Sequence, residues 1–328
     1  MSINLKNLIR GSLRRTHAPI IYKQPSALIL MYHRISDEAP EPNWLAVSPG
    51  NFQLHLDYIN KNLNPISLLD LVEATQAGKI PPNSVTITFD DGYRDNYATA
   101  LPLLEESGIP ATIFVTSGAI DRDKEFWWDE ISPSIVEMEN FPETLKLVIK
   151  GQTFRWKTAT YPQRQKLYSD LKGLLKPLRE AEILSVLDKL DEWSGASQIR
   201  TMRPTYRTMT KEELIELSRS EFIEIGAHTI THPALNTLMR EEQLTEIKMS
   251  RQALESIIGQ PVCTFAYPFG YFSEETMELV RSLGFKAALT TETGVIRAYD
   301  DLFRLNRCAV NDYGVDIFAM KITEWFGR

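Results

Sequence analysis

Two aspartates stand side by side at the end of an apolar run, in "VTITFDDG" (85–92). Like charges so placed repel, and their position asks for a reason. Along the run Val85, Ile87 and Phe89 face one way, Thr86, Thr88 and Asp90 the other. Gly92 then permits a sharp turn, so Asp90 and Asp91 can both point into one mouth. A divalent cation would remove the repulsion, one carboxylate binding it and the other remaining beside it as a base. A second pattern, "GAHTITHP" (226–233), spaces His228 and His232 by four. Extended, their rings would be about 13 Å apart at ~3.3 Å per residue. On a curled turn they become neighbours that can reach one ion at ~2.0–2.1 Å. The glutamate of the zinc-peptidase His-Glu-x-x-His helix is absent. Two histidines and one carboxylate leave coordination positions open for water and substrate, as catalytic sites do. The competing use of an aspartate there is to cap the next helix, a task for which Asp95 and Asn96 are better placed.

The surrounding pattern shows what must position these groups. Strand-like runs, "ALILMYHRI" (27–35), "VTITFDD" (85–91), "PATIFVTS" (110–117), "FIEIGAH" (222–228), "CTFAYPFG" (263–270), "FKAALTT" (285–291) and "FRLNRCAV" (303–310), alternate with helix-like stretches. Crossovers of that length imply a parallel α/β sheet or barrel. Ligands gather at the carboxyl ends of such strands. Those ends carry His33, Asp90 with Asp91, His228 with His232, and Tyr267-Pro268. The interval 121–205 breaks the rhythm and reads as a mainly helical insertion with a hairpin at "LKLVIKGQTFRW". It holds four of the six tryptophans, most of which would form the core of such a cap, with Trp127 and Trp128, just after a strand end, the best exceptions and the candidates to stack on a sugar ring.

The 328 residues, 43% hydrophobic and 24% charged, suffice for a large globular core. No apolar run is long enough to span a bilayer, the start lacks a signal-peptide pattern, and two cysteines, Cys263 and Cys308, set up no disulfide framework. The cytoplasm is the default compartment. The net charge of −7 argues against nucleic acid as partner. Residues 1–25 hold Lys6, Arg10, Arg14, Arg15 and Lys23 and no acid. With Leu5, Leu8, Ile9 and Leu13 at helical spacing, this basic arm is either a tail or docked helix, or a peripheral contact with the inner membrane through residues 1–16. Liposome flotation with and without those residues separates the two.

"TFDDG" (88–92), "HTITH" (228–232) and "FAYPFG" (265–270) resemble the first three motifs of the polysaccharide deacetylases, the NodB-homology group of carbohydrate esterases. The resemblance covers roughly 27–120 and 206–310. It implies an irregular (β/α) barrel of seven strands over 26–328, interrupted by the insertion. It also implies Asp91, His228 and His232 as ligands of one divalent ion, zinc first and iron, cobalt or nickel as alternatives. Asp90 becomes the general base, the Tyr267 backbone N–H an oxyanion donor, and Pro268 and Phe269 substrate contacts. Two features depart from the commoner pattern. The late Leu-x-His motif that supplies the general acid is missing, and no arginine precedes the proline of the third motif. His33 in "LILMYHRI" fits the acid of the circularly permuted branch that resembles poly-N-acetylglucosamine deacetylases, and Arg304 or Arg307 could orient Asp90 from a late strand. "FWWDE" (126–130) recurs in that branch, with no role for Asp129.

The reaction so implied is removal of an N-acetyl group from an amino sugar of a bacterial polysaccharide, lipopolysaccharide or glycan precursor. Water attacks the acyl carbon, Asp90 takes its proton, and His33 protonates the departing amine. The same residues would serve a deformylase or an O-deacetylase. A glycan-binding protein without catalysis, or a metal-dependent phosphoesterase, are readings from other classes. The intact base, ligands and acid speak against the first, and the lack of ligands for a second ion against the other.

Overall fold

The computed structural model describes residues 25–37, 43–137, 142–195 and 202–327. The basic arm and its proposed membrane contact therefore lie outside the described residues, apart from Pro25. Among the described residues no helix is long and apolar enough to cross a membrane.

The sheet is curled. In space its strands run Ala287–Leu289, Thr264–Ala266, Ile223–Ala227, Ala111–Val115, Ser84–Phe89, Ser26–Tyr32, all parallel, followed by the antiparallel Ile296–Arg297. Every residue of Ser26–Tyr32, Ser84–Phe89 and Ala111–Val115 is buried, as expected of parallel strands covered on both faces. Alternation divides them. Leu28, Leu30, Tyr32, Val85, Ile87 and Phe89 join the larger cluster, in which Phe52, Leu104 and Phe318 of the surrounding helices also lie. Ala27, Ile29, Phe114, Ala266 and Leu289 fill a second cluster, where the helix Leu68–Ala77 contributes Leu68, Leu71 and Val72.

A short late segment draws the two edges together. Leu305 bridges Leu289 on one edge and exchanges backbone bonds with Ala288 and Thr290, while Cys308 and Ala309 pair with Leu30 and Met31 on the other. The fold is thus the irregular (β/α) barrel, although "FRLNRCAV" forms only the two-residue strand Cys308–Ala309. Both cysteines are free thiols.

The register lines up the strand ends. Tyr32 is opposite Phe89, Phe89 opposite Ile113, Val115 opposite Ala227, and Ala227 opposite Phe265. His33, Asp90, Thr116 and His228 therefore leave the sheet at one rim. Over that rim lies the insertion. Its hairpin, Thr144–Ile149 against Gln152–Lys157, and the helices Tyr161–Leu175 and Glu180–Ser194 enclose an apolar cluster of their own, with Leu147, Leu171, Leu187 and Leu190 at its centre.

Asp95 and Asn96 do not cap a helix through their side chains. A π-type turn, Asn96–Ala100, leads into the helix Leu101–Ser107 instead. The side chains turn to the end of the first strand. Asp95 accepts from the Ile35 amide (3.2 Å) and the buried Arg34 guanidinium (3.1 Å), and the Asn96 amide donates to the His33 carbonyl (2.8 Å). A capping requirement expected from local sequence is replaced by a long-range one, because the buried Arg34 needs a counter-charge.

Candidate active site

Asp91 follows the strand Ser84–Phe89 with φ 76°, and Gly92 continues in the same left-handed region at 82°. A Cβ on Gly92 would also meet the Val115 side chain at 3.0 Å. The histidine loop is bent in the same way, with Thr229 at φ 66° and His232 at 59°. Left-handed backbone is costly for a β-branched residue, and such strain collects at functional sites. Hydrogen bonds hold the curl. The Thr229 hydroxyl accepts from the His232 amide (3.0 Å), and the Glu246 carboxylate accepts from the Ile230 and Thr231 amides at 2.8 and 3.0 Å. Glu246 belongs to the helix Arg240–Ile258 and was not among the residues singled out from sequence, because nothing local distinguishes it from its charged neighbours.

The bend brings the two imidazoles together on Asp91. His232 Nε2 lies 3.1 Å from His228 Nε2, and Asp91 Oδ1 lies 3.3 and 3.6 Å from these two nitrogens. All three residues are buried. His228 Nδ1 is 2.8 Å from the Ala266 carbonyl, which can only accept, so Nδ1 carries the proton and Nε2 presents a lone pair. A lone pair, a second imidazole nitrogen and a carboxylate oxygen thus face one another in a buried space. Ligands ~2.0–2.1 Å from a tetrahedral ion stand about 3.3 Å apart, which this triangle matches. Burial lowers the His228 pKa to about 4 and that of His232 to about 3, so both rings are neutral, the form a cation requires. Burial raises the pKa of Asp91. The donor set fits one divalent cation.

Asp90 has a different environment. Arg307 reaches it from the closing segment in a buried two-pronged pair, Nη1 to Oδ1 at 2.6 Å and Nη2 to Oδ2 at 2.7 Å. Its Nε donates to the Thr290 carbonyl (2.7 Å), which fixes the fork. Burial alone would raise the Asp90 pKa, but the Arg307 guanidinium outweighs it and holds the carboxyl well below the usual range. Of the two arginines considered, Arg304 turns outward to the exposed Glu292 at 3.2 Å.

His33 is half-buried at the same rim, its main chain held by Asn96. Burial lowers its pKa, while Asp91 and Asp90 pull in the opposite direction. The lowered pKa favours the neutral ring, so service as an acid requires that His33 take up a proton during turnover.

Three expectations for the third motif and the tryptophans are corrected. The Tyr267 N–H is spent in the sheet, donating to the Leu289 carbonyl at 3.0 Å, and cannot serve an oxyanion. Pro268 has no N–H, so the next amide in the loop is that of Phe269, whose φ is 56°. Pro268 is buried within the turn. Trp128 is also buried, stacked on Phe126 at 4.5 Å, its indole N–H donating to the Tyr93 hydroxyl. It walls His232, 4.8 Å away, and presents no face to a sugar. Trp127 and Phe269 are half-buried, and Trp127 borders the cleft beside His232. Phe269 stands edge-on to His232 at 4.4 Å.

Asp129 heads a buried network. Its carboxyl accepts from Tyr93 Oη (2.6 Å) and Asn43 Nδ2 (2.9 Å), and burial raises its pKa to about 7. Asn43 in turn bonds Tyr168 and Lys172, so the network ties the insertion to the turn that follows Asp91.

Comparison with known proteins bears on the family and the fold. The sequence model of the polysaccharide deacetylase family matches residues 77–213 and 208–288. The chain is similar to the poly-β-1,6-N-acetyl-D-glucosamine N-deacetylase of Staphylococcus aureus, strain MSSA476, with 22% identity over 319 residues (93% of this chain, 85% of the relative). Among solved structures it resembles the Streptococcus pyogenes deacetylase PplD in complex with acetate. That match has a TM-score of 0.60 and 20% identity, covering 90% of this chain and 98% of that one. IcaB from Ammonifex degensii matches with a TM-score of 0.60 and 18% identity, covering 93% and 98%.

Proposed function

The chain belongs to the polysaccharide deacetylase family, and on that premise we propose that it is a metal-dependent hydrolase that removes the N-acetyl group from an amino sugar of a bacterial glycan. The observation that carries the reading is the pairing of two carboxylates in opposite environments. Asp91 shares a buried triangle with His228 and His232, while Asp90 beside it is kept ionised by Arg307.

Asp91, His228 and His232 would hold one divalent cation, zinc by preference for this ligand set, and that cation would polarise the acetyl carbonyl and make water acidic enough to react. Asp90, ionised across the neutral range, takes the proton of the attacking water, and Arg307 keeps its two oxygens oriented. Since the Tyr267 N–H is engaged, the donor to the developing oxyanion is assigned to the Phe269 N–H. His33 gives its proton to the nitrogen, without which an amine leaves poorly. The products are acetate and a free amino sugar. Cleft contact with substrate falls to Trp127 and Phe269.

The test combines metal content with acetate release from N-acetylglucosamine oligomers, comparing wild type with Asp90→Asn. About one zinc per chain in both proteins is expected, with turnover reduced by ~10²–10⁴-fold in the variant, the usual worth of a general base. Equal turnover would remove Asp90 from the role. Zinc binding with no acetate from any N-acetylated glycan would refute the deacetylase reading.

A further inference from the structure

The insertion reaches the metal centre through one cation. Lys176 follows the last turn of the helix Tyr161–Leu175 and lines a cleft with Trp127 and Leu178 on one side and Thr231, His232 and Pro233 on the other. Its ammonium lies over the Phe269 ring, 5.1 Å from the centroid, and Phe269 is itself in contact with His232. The side chain is half-buried, and among the described residues no carboxylate or carbonyl accepts from it. Glu130 and Glu180 line the same cleft, and burial lowers the Lys176 pKa. Arg122, the other basic residue of the cleft, is paired with Glu180 at 3.2 Å. An ammonium taken partly out of water, with an aromatic face against it and no acceptor among the described residues, has three donors to offer at the edge of the reacting centre.

We propose that Lys176 is a substrate-binding residue whose ammonium donates to an oxygen of the glycan held beside the Asp91–His228–His232 triad, so that the insertion, and not the barrel alone, selects the substrate. This rests on the deacetylase reading. The acceptor is either a sugar hydroxyl or an anionic substituent, both of which present oxygen to the same donor. Thr231 and Pro233 also border a second, open hollow of about 420 Å³ beside Glu242 and Glu246.

The experiment uses zinc-loaded wild type and Lys176→Met, which keeps the apolar stem over Phe269. Lys176→Arg, which keeps the cation, serves as the third protein. Each is given a neutral N-acetylglucosamine oligomer and a phosphate-bearing counterpart, and both acetate release and calorimetric binding are followed. Lys176→Met should raise KM at least tenfold with kcat within about twofold and zinc content unchanged, and Lys176→Arg should recover part of the loss. A loss confined to the phosphate-bearing oligomer, and abolished by salt, identifies the acceptor as the anion. A loss with both oligomers identifies a sugar hydroxyl. Unchanged KM, or a fall in zinc content together with kcat, would overturn the proposal and leave Lys176 a brace for Phe269. If wild type releases no acetate, the deacetylase reading fails on its own. The binding arm still decides the role of Lys176, since equal affinity of wild type and Lys176→Met, or no binding by wild type, overturns it.

Discussion

At the scale of single residues, the site separates two adjacent carboxylates by what each is given. Asp91 faces two neutral imidazoles, and Asp90 faces a guanidinium. A buried fork of this kind is not replaceable by charge alone, because lysine cannot reproduce the two parallel donors. Arg307→Lys should therefore lower kcat by roughly tenfold while leaving zinc content unchanged. It should also move the acid limb of activity. Arg307 holds the Asp90 pKa down, so weakening the pair lets it rise, and the base is then protonated, and activity lost, at a higher pH than in wild type. A pH–kcat/KM profile with an unmoved acid limb would show that Arg307 does not govern the base. The aspartates and His228 were legible in the sequence because they directly follow apolar strand-like runs, and His232 because it stands four residues after His228. The choice between Arg304 and Arg307 was not. It depends on which of two residues three apart points into a barrel that closes more than two hundred residues after Asp90.

At the scale of elements, local patterns located the strands, but their hydrogen bonding decided what the ends could do. The Tyr267 N–H could be assigned to catalysis from sequence only because the register with Leu289 was invisible there. Asp95 and Asn96 were misjudged for the same kind of reason, since their partners, Arg34, Ile35 and His33, come from a strand some sixty residues earlier. The helix Arg240–Ile258 has the clearest influence of this type. Its Glu246 gathers two amides of the histidine loop and thereby stabilises a backbone in which Thr229 and His232 are left-handed. Removing such an outer support typically weakens metal affinity by ~10–100-fold. Glu246→Ala should do so in a chelator competition for zinc, with a much smaller effect on kcat once the metal is saturating. Wild-type affinity in the variant would mean that the loop holds its shape without the helix.

At the scale of the whole molecule, one histidine far from the chemistry contributes to how the fold responds to acid. His55, on the helix Pro49–Asn62, stacks on Phe318 at 4.0 Å, donates from its Nε2–H to the Tyr313 carbonyl and accepts from the Tyr32 hydroxyl at Nδ1. Burial lowers its pKa from 6.5 to about 4. Between those values the unfolded chain binds a proton that the folded chain refuses, so stability falls as pH drops from about 6.5 to about 4. The loss from this group is on the order of 3 kcal/mol. Urea midpoints of wild type and His55→Gln across that range should converge as pH falls, and parallel curves would show that another group is responsible. The segment Leu305–Ala309 has a different reach. It is the clasp between the two edges of the barrel, and the residue inside the clasp is Arg307. During synthesis, the three ligand residues leave the ribosome well before it. A nascent or truncated chain can thus own every group proposed to bind the ion while the proposed base beside them is still unanchored. On the proposed mechanism, hydrolysis then waits on the closure of the cylinder, because Asp90 has no guanidinium beside it until Leu305–Ala309 is in place.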